Sequence, residues 1–174
     1  MRPALRLTDV PEKYLPLLVR DRAGLMAEID TAWRALDGFV GDLSRAQWSA
    51  VIPGLGEGAA TWRVKDAVAH LAAWRRNAAK VARLQAAAGR HIHDFPGATL
   101  GFRASDFNAQ LLRDWHGRSR EEVLAEHRAA HSDLLATLPL VSDHLLLRRK
   151  RSPLWLTPAL GHTYDHLTDL MRAL

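Results

Sequence analysis

Apolar residues recur at helical spacing along four long stretches of this 174-residue chain, and this periodicity constrains the fold more than any other sequence feature. We expect long helices over residues 14–36, 61–88, 105–138 and 157–174, the third broken at His116–Gly117. No stretch has the strict alternation that predicts a strand. The pattern predicts an all-α protein, a four-helix bundle with a short extra helix and long inter-helix loops.

Capping residues set the predicted helix boundaries. Thr61 is a suitable N-cap for the second long helix, and Gly89 supplies its end. Ser119 and Glu122 have the spacing of a capping box where the third stretch resumes. The pair Thr157–Pro158 predicts the start of the last helix, because proline is favoured at the first helical position.

The segments between the long helices differ in their expected structure. Ser44 can cap a short helix over 44–50. The sequence VIPGLGEG, residues 51–58, predicts a loop, because Pro53 and three glycines interrupt regular structure. Residues 90–100 are expected to be irregular, with a turn at Pro96–Gly97.

The composition predicts one domain spanning residues 1–174, with 48% apolar and 25% charged residues. No apolar run is long enough to cross a membrane, and the N terminus lacks an apolar signal core, so we expect no membrane partner and a cytoplasmic location. The net charge of +5 invites a nucleic-acid partner. We expect none, because the basic residues are interspersed with acids and the dense run Arg148–Arg151 falls in a predicted loop.

Histidines are the residues that most indicate chemistry in this chain. The chain has no cysteine, so a tightly bound metal would use histidine and oxygen ligands. His70 lies on the flank of the apolar stripe of the second helix, beside Trp74 and Asn77. His162 and His166, four residues apart on the last helix, can both reach one ion. A histidine satisfied at the bundle edge is the competing interpretation for His70.

A second pair, His127 and His131, falls nearer the middle of an apolar face of the third helix. Three roles remain open for it: alternative ligands, donors that orient the ligands, or core residues hydrogen-bonded to Asp133 or Tyr164. The structural role is the favoured one. No serine lies in a nucleophile elbow and no glycine-rich phosphate loop is present, so the sequence identifies no catalytic residue.

TWRVKDAVAHLAAW, residues 61–74, resembles the second-helix signature of the DinB/YfiT-like four-helix-bundle superfamily. The likeness extends to LSRAQW, FNAQLLRDW, SREEVLAEH and SPLWLTPALGHTYDHL, and so to most of the chain. Within the superfamily it is similar to the ClbS/DfsB-like and the mycothiol-dependent maleylpyruvate isomerase-like branches. Arg75 stands where an acidic residue often follows the AHLAAW string.

The resemblance implies a divalent metal, zinc or nickel, held by His70 together with His162 and His166. In one branch the last helix reads Asn-Thr-Tyr-x-His-Tyr-x-x-His. In that register His166 is retained, His162 replaces the asparagine and Leu170 replaces the last histidine.

Two functions follow as expectations. The resemblance implies a metal-dependent thiol transferase, isomerase or hydrolase that acts on a small electrophilic substrate, with a low-molecular-weight thiol as cosubstrate. Arginines at the bundle mouth, such as Arg63, Arg75 or Arg76, could hold an anionic substrate. The alternative is a metal-free bundle that binds or sequesters a small molecule in a tryptophan-lined cavity.

Residues expected in the cavity or around the ligands are Trp74, Asn77, His127, His131 and Tyr164. Homodimerisation through the first and third helices is a further expectation.

Overall fold

The structure, a computed structural model, describes residues 21–57, 60–92, 101, 103–147 and 152–174. The expected helix start near Tyr14, the turn at Pro96–Gly97 and the run Arg148–Arg151 lie outside these residues. The described part contains seven α-helices: α1 Arg22–Gly41, α2 Arg45–Trp48, α3 Val64–Ala88, α4 Ala104–Trp115, α5 Arg120–Thr137, α6 Asp143–Leu146 and α7 Gly161–Ala173. Two 3-10 helices span Leu138–Leu140 and Leu154–Ala159. The all-α prediction is confirmed.

Several predicted boundaries agree with the structure. Ser44 caps α2, and Ser119 and Glu122 form the predicted capping box at α5. The third stretch breaks as expected, between α4 and α5. Gly89 ends α3 in the left-handed conformation, with φ of 61°. None of the described helices is long and apolar enough to cross a membrane.

A two-stranded antiparallel sheet replaces the loop that was predicted over residues 51–58. Its strands are β1, Val51–Glu57, and β2, Ala60–Arg63. Proline is tolerated because each strand has a free edge, and the register shifts between Val51 and Gly56. Ile52 and Trp62 are buried in the core, so tertiary packing stabilises what the local sequence disfavours.

The sheet also moves the start of α3. The helix begins at Val64 rather than at Thr61, and the backbone N–H of Val64 donates to the carbonyl of Ala50 at 3.0 Å. At the first turn, the carboxylate of Asp66 accepts from the backbone N–H of Arg63 at 2.9 Å. The strand therefore runs directly into the helix and fixes Trp62 eight residues before His70.

The C-terminal end of α1 and the start of α7 also differ from prediction. α1 continues past Gly38 to Gly41, because the burial of Val40 outweighs the weak helix propensity of glycine. Thr157 and Pro158 lie in the 3-10 helix Leu154–Ala159, and α7 begins only at Gly161. The predicted start at Thr157–Pro158 is therefore wrong by one turn.

The buried apolar side chains form two clusters at opposite ends of the bundle. One contains Leu25 and Ile29 of α1, and the other contains Leu36 and Val40 of the same helix. Between the two clusters, α1, α3, α5 and α7 contribute a polar layer. We use this name for the following residues: Trp33, Arg75, His127, His131 and Thr163. All of them except Trp33 are buried.

Candidate metal centre

Three histidine side chains meet where α3 passes the first two turns of α7. Nε2 of His162 lies 3.0 Å from Nε2 of His70 and 3.2 Å from Nε2 of His166. One ligand nitrogen from each of the three lies within 4.8 Å of the other two. We call these residues the histidine trio. His70 and His166 are buried and His162 is partly exposed.

Helix geometry accounts for this convergence. His162 and His166 are one turn apart on α7, so their side chains lie on one face. Their ring centroids are 4.4 Å apart. His70 approaches from α3, with ring centroids 5.2 Å from His162 and 5.0 Å from His166, and its plane is inclined steeply to both.

The spacing of the trio fits one divalent metal ion. Two nitrogens at about 2.0 to 2.1 Å from one ion are roughly 2.9 to 3.4 Å apart for ligand angles of about 90 to 110°. The distances of 3.0 and 3.2 Å fall in this range. Among the described residues, no other three histidine or acidic side chains bring their ligand atoms this close together.

Electrostatics favour a neutral imidazole at His70. The pKa of His70 is lowered well below its usual value, first by burial and then by the charges of His166 and His162, while a contact with Asn108 raises it. A neutral imidazole has a free nitrogen lone pair, which is the form that binds a metal. Burial therefore keeps His70 in the protonation state that a metal ligand requires.

Two carboxylates lie behind the α7 histidines, and the sequence analysis missed both. Asp165 Oδ2 is 3.7 Å from Nδ1 of His162, and Asp169 Oδ2 is 3.5 Å from Nδ1 of His166. A carboxylate near the outer nitrogen favours the tautomer whose Nε2 points inward as an acceptor. The repeated His-x-x-Asp spacing, which places each pair on one helix face, is the sequence signal that could have identified them.

Aromatic side chains enclose the trio on the side of the sheet. The ring of Trp62 lies 4.6 Å from His70 and 6.0 Å from His166, and Trp74 lies 6.1 Å from His70. Nε1 of Trp74 donates to Oδ1 of Asn108 at 3.1 Å, which holds α4 against α3. Trp74 thus lies beside His70, as the helical spacing predicted.

A narrow cleft, with no room for a water molecule, adjoins the trio through Trp62. It is lined by residues of β2, α3 and α4: Trp62, Asp66, Ala69, Asn108, Leu111, Leu112 and Trp115. Nε1 of Trp62 and Oδ1 of Asp66 are buried and have no hydrogen-bond partner among the described residues. The donor of Trp62 and the acceptor of Asp66 are therefore enclosed by the protein rather than presented to the cleft.

His127 and His131 lie apart from the trio, in the polar layer. Both stack on Trp33, with centroids 5.8 and 4.3 Å away. The prediction that these two histidines are hydrogen-bonded to Asp133 or Tyr164 is wrong. The nearest carboxylates are Asp37 and Asp30 of α1, at 3.9 and 3.6 Å. Asp133 instead pairs with Arg76 and Arg83, because it points along the surface between α3 and α5.

The remaining predicted residues are dispersed. Asn77 is buried on α3, nearly two turns beyond His70. The pKa of the Tyr164 hydroxyl is raised by burial and then by the charge of Glu28, so this side chain faces α1.

The arginines expected at the bundle mouth have other roles. Arg76 forms a salt bridge with Glu126 at 2.7 Å. Arg75 is fully buried, so the expectation that it lies at the bundle mouth is wrong.

Comparison with known proteins gives one family and one solved structure. The family model for the mycothiol maleylpyruvate isomerase N-terminal domain matches residues 29–170, a span that includes the whole trio. An uncharacterised protein from Escherichia coli UTI89, solved by crystallography, is similar with a TM-score of 0.65 and 15% sequence identity over 95% of each chain. That likeness concerns the fold alone. No match is found among curated proteins.

Proposed function

The chain belongs to the mycothiol maleylpyruvate isomerase N-terminal domain family, and from this premise we propose that it is a divalent-metal-dependent enzyme whose metal is held by His70, His162 and His166. The convergence of one ring nitrogen from each of these histidines within 4.8 Å is the observation that carries the proposal. Three neutral ligands leave coordination positions open for a water molecule or a substrate.

Zinc or nickel is the metal that we propose. The ligands are imidazoles, which suit zinc, copper, iron and nickel, and the chain has no thiolate. When bound, such an ion supplies Lewis-acid chemistry and lowers the pKa of a coordinated water or thiol. Asp165 and Asp169 would hold the outer nitrogens of His162 and His166, and burial keeps His70 neutral.

The proposed substrate is a small electrophile, with a low-molecular-weight thiol as the second reactant. The family is described by a thiol-dependent isomerase, which supports this class of reaction. The tryptophan rings beside His70, those of Trp62 and Trp74, support a small and largely apolar substrate. The ring of Trp62, 4.6 Å from that of His70, would exclude water from this side of the site.

Elemental analysis of protein purified without a histidine tag tests the proposal. We expect about one equivalent of zinc or nickel per chain, as one three-histidine site predicts. The variant His166→Asn should lose it, because asparagine ends short of the Nε2 position. The matched control is His144→Asn, which changes an exposed histidine outside the site and should retain the metal.

The alternative function predicts a different result. A metal-free bundle that binds or sequesters a small molecule would contain less than about a tenth of an equivalent, with no difference between wild type and His166→Asn. It would also keep its full stability in excess chelator. That combination would reject the metal-dependent enzyme.

A further inference from the structure

Arg75 is a buried cation with no ion pair among the described residues. It lies on α3, five residues after His70, and is fully buried. Burying a guanidinium without a carboxylate partner is unfavourable, so hydrogen bonds must compensate it. Nη1 lies 3.3 Å from Nδ1 of His127, and Nη2 donates to Oγ1 of Thr163 at 3.0 Å.

Thr163 connects this arginine to the start of α7. Its hydroxyl accepts from Arg75 and donates to the carbonyl of Pro158 at 2.9 Å. α7 has no side-chain cap at its N-cap residue, Leu160. The Thr163 hydroxyl therefore bonds the first turn of α7 both to α3 and to the preceding 3-10 helix. Its neighbour in sequence is His162.

The other end of this connection is fixed to α5 and α1. Arginine has only donors, so Nδ1 of His127 must accept and the His127 proton must lie on Nε2. Trp33 of α1 stacks on the His127 ring with an interplanar angle of 20°. Trp33, His127, Arg75 and Thr163 thus form a continuous chain of contacts across four helices. We call it the polar strut.

We propose that Thr163 and Arg75 are positioning residues, and that the polar strut sets the place of His162 relative to His70. This inference rests on the proposed metal function. The two histidines come from different helices and their nitrogens are 3.0 Å apart. A ligand set must be held within about 0.5 Å of its working geometry. One residue after His162, the strut fixes α7 to the helix that carries His70.

Thr163→Val tests the proposal, because valine keeps the shape of threonine and removes only the hydroxyl. Zinc affinity is measured by competition with a chelating dye, and the cobalt absorption spectrum reports ligand geometry. We expect about a 10- to 100-fold loss of affinity, as for other groups that orient metal ligands. Thr163→Ser, which restores the hydroxyl, should stay within about threefold of wild type by the same reasoning.

The matched control is Thr137→Val. Thr137 is also buried, and its hydroxyl donates to the carbonyl of Asp133 at 2.7 Å, outside the strut. It should leave both zinc affinity and cobalt spectrum unchanged. Wild-type affinity in Thr163→Val, or an equal loss in Thr137→Val, would overturn the proposal. If Thr163→Val does not fold, Thr163→Ala takes its place.

A metal-free measurement separates this proposal from the proposed function. The imidazole nitrogen signals of His70 and His162 are recorded by NMR in excess chelator. Signals that move in Thr163→Val but not in Thr163→Ser or Thr137→Val support the strut, even if wild type binds no zinc and the enzyme proposal fails. Signals that do not move in Thr163→Val would reject the strut.

Discussion

Each α7 histidine of the trio directs Nε2 inward and leaves Nδ1 facing a carboxylate on the same helix. Asp165 follows His162 by three residues, as Asp169 follows His166. Because helical residues three apart are neighbours, one short sequence, HTYDHLTD, supplies both imidazoles and both carboxylates. Under the proposed function, we expect the tautomer and the metal affinity of each histidine to depend on its neighbouring carboxylate.

At the residue scale, Asp165→Asn should weaken metal binding about 10-fold or more, because the amide no longer supports the His162 tautomer as a charged acceptor does. The change is nearly isosteric and should alter the fold little. Zinc affinity by chelator competition measures it. Asp114→Asn, at an exposed position of α4, is the control. Equal affinities for wild type and Asp165→Asn would show that this carboxylate has no role.

Helical spacing predicted that the trio residues lie on facing flanks, and the structure brings them together. It did not predict the environment of Arg75, because spacing along one helix does not reveal which other helix covers a flank. In the family branch whose last helix reads Asn-Thr-Tyr-x-His-Tyr-x-x-His, Leu170 stands in place of the last histidine. In the structure Leu170 is fully buried in an apolar cluster. The sequence could have identified Asp165 and Asp169, because each follows a histidine of α7 by three residues.

At the element scale, the sheet shows where local signals fail. Pro53 and the glycines of β1 argue against a strand, yet β1 pairs with β2 and buries Ile52 and Trp62. Pairing with residues further along the chain and burial in the core are not visible in a local window.

Ile52→Ala should therefore destabilise the protein by about 2 to 5 kcal/mol, because it removes a side chain that is 1% exposed and leaves a cavity beneath β1. Urea unfolding followed by circular dichroism measures the change. Val51→Ala is the matched control in the same strand, where the side chain is 48% exposed, and should change stability by no more than about 0.5 kcal/mol. Similar losses for the two variants would contradict the burial of this strand.

At the scale of the whole molecule, the polar layer divides the core and makes stability depend on pH. Burial, followed by the charge of Arg75, lowers the pKa of His127 to about 2 and that of His131 to about 4. In the unfolded chain both protonate near pH 6.5. Their contribution to stability is thus complete above about pH 6.5 and is lost as the pH falls toward the folded pKa values.

We expect the urea midpoint in excess chelator to fall between pH 7 and pH 5, and to fall less steeply in His131→Gln, which removes one titrating group. The chelator excludes a contribution from metal loss. His144→Gln, at an exposed position, is the control. An identical pH dependence in His131→Gln and wild type would show that the polar layer does not govern acid stability.

The periodicity of four long segments was sufficient to predict the fold class, because each helix buries one face and the bundle is what buries four such faces together. It was not sufficient to predict how the core divides into two clusters around a polar layer. That division depends on which polar residues of α1, α3, α5 and α7 reach the same level. The single domain over residues 1–174 and the homodimer stay predictions.

The most direct test of the central proposal is a crystal structure of the protein, purified without a tag and supplied with zinc, recorded at the zinc absorption edge. We expect one anomalous peak about 2.0 to 2.1 Å from the Nε2 atoms of His70, His162 and His166. A peak between His127 and His131 instead, or no peak at the trio, would contradict it.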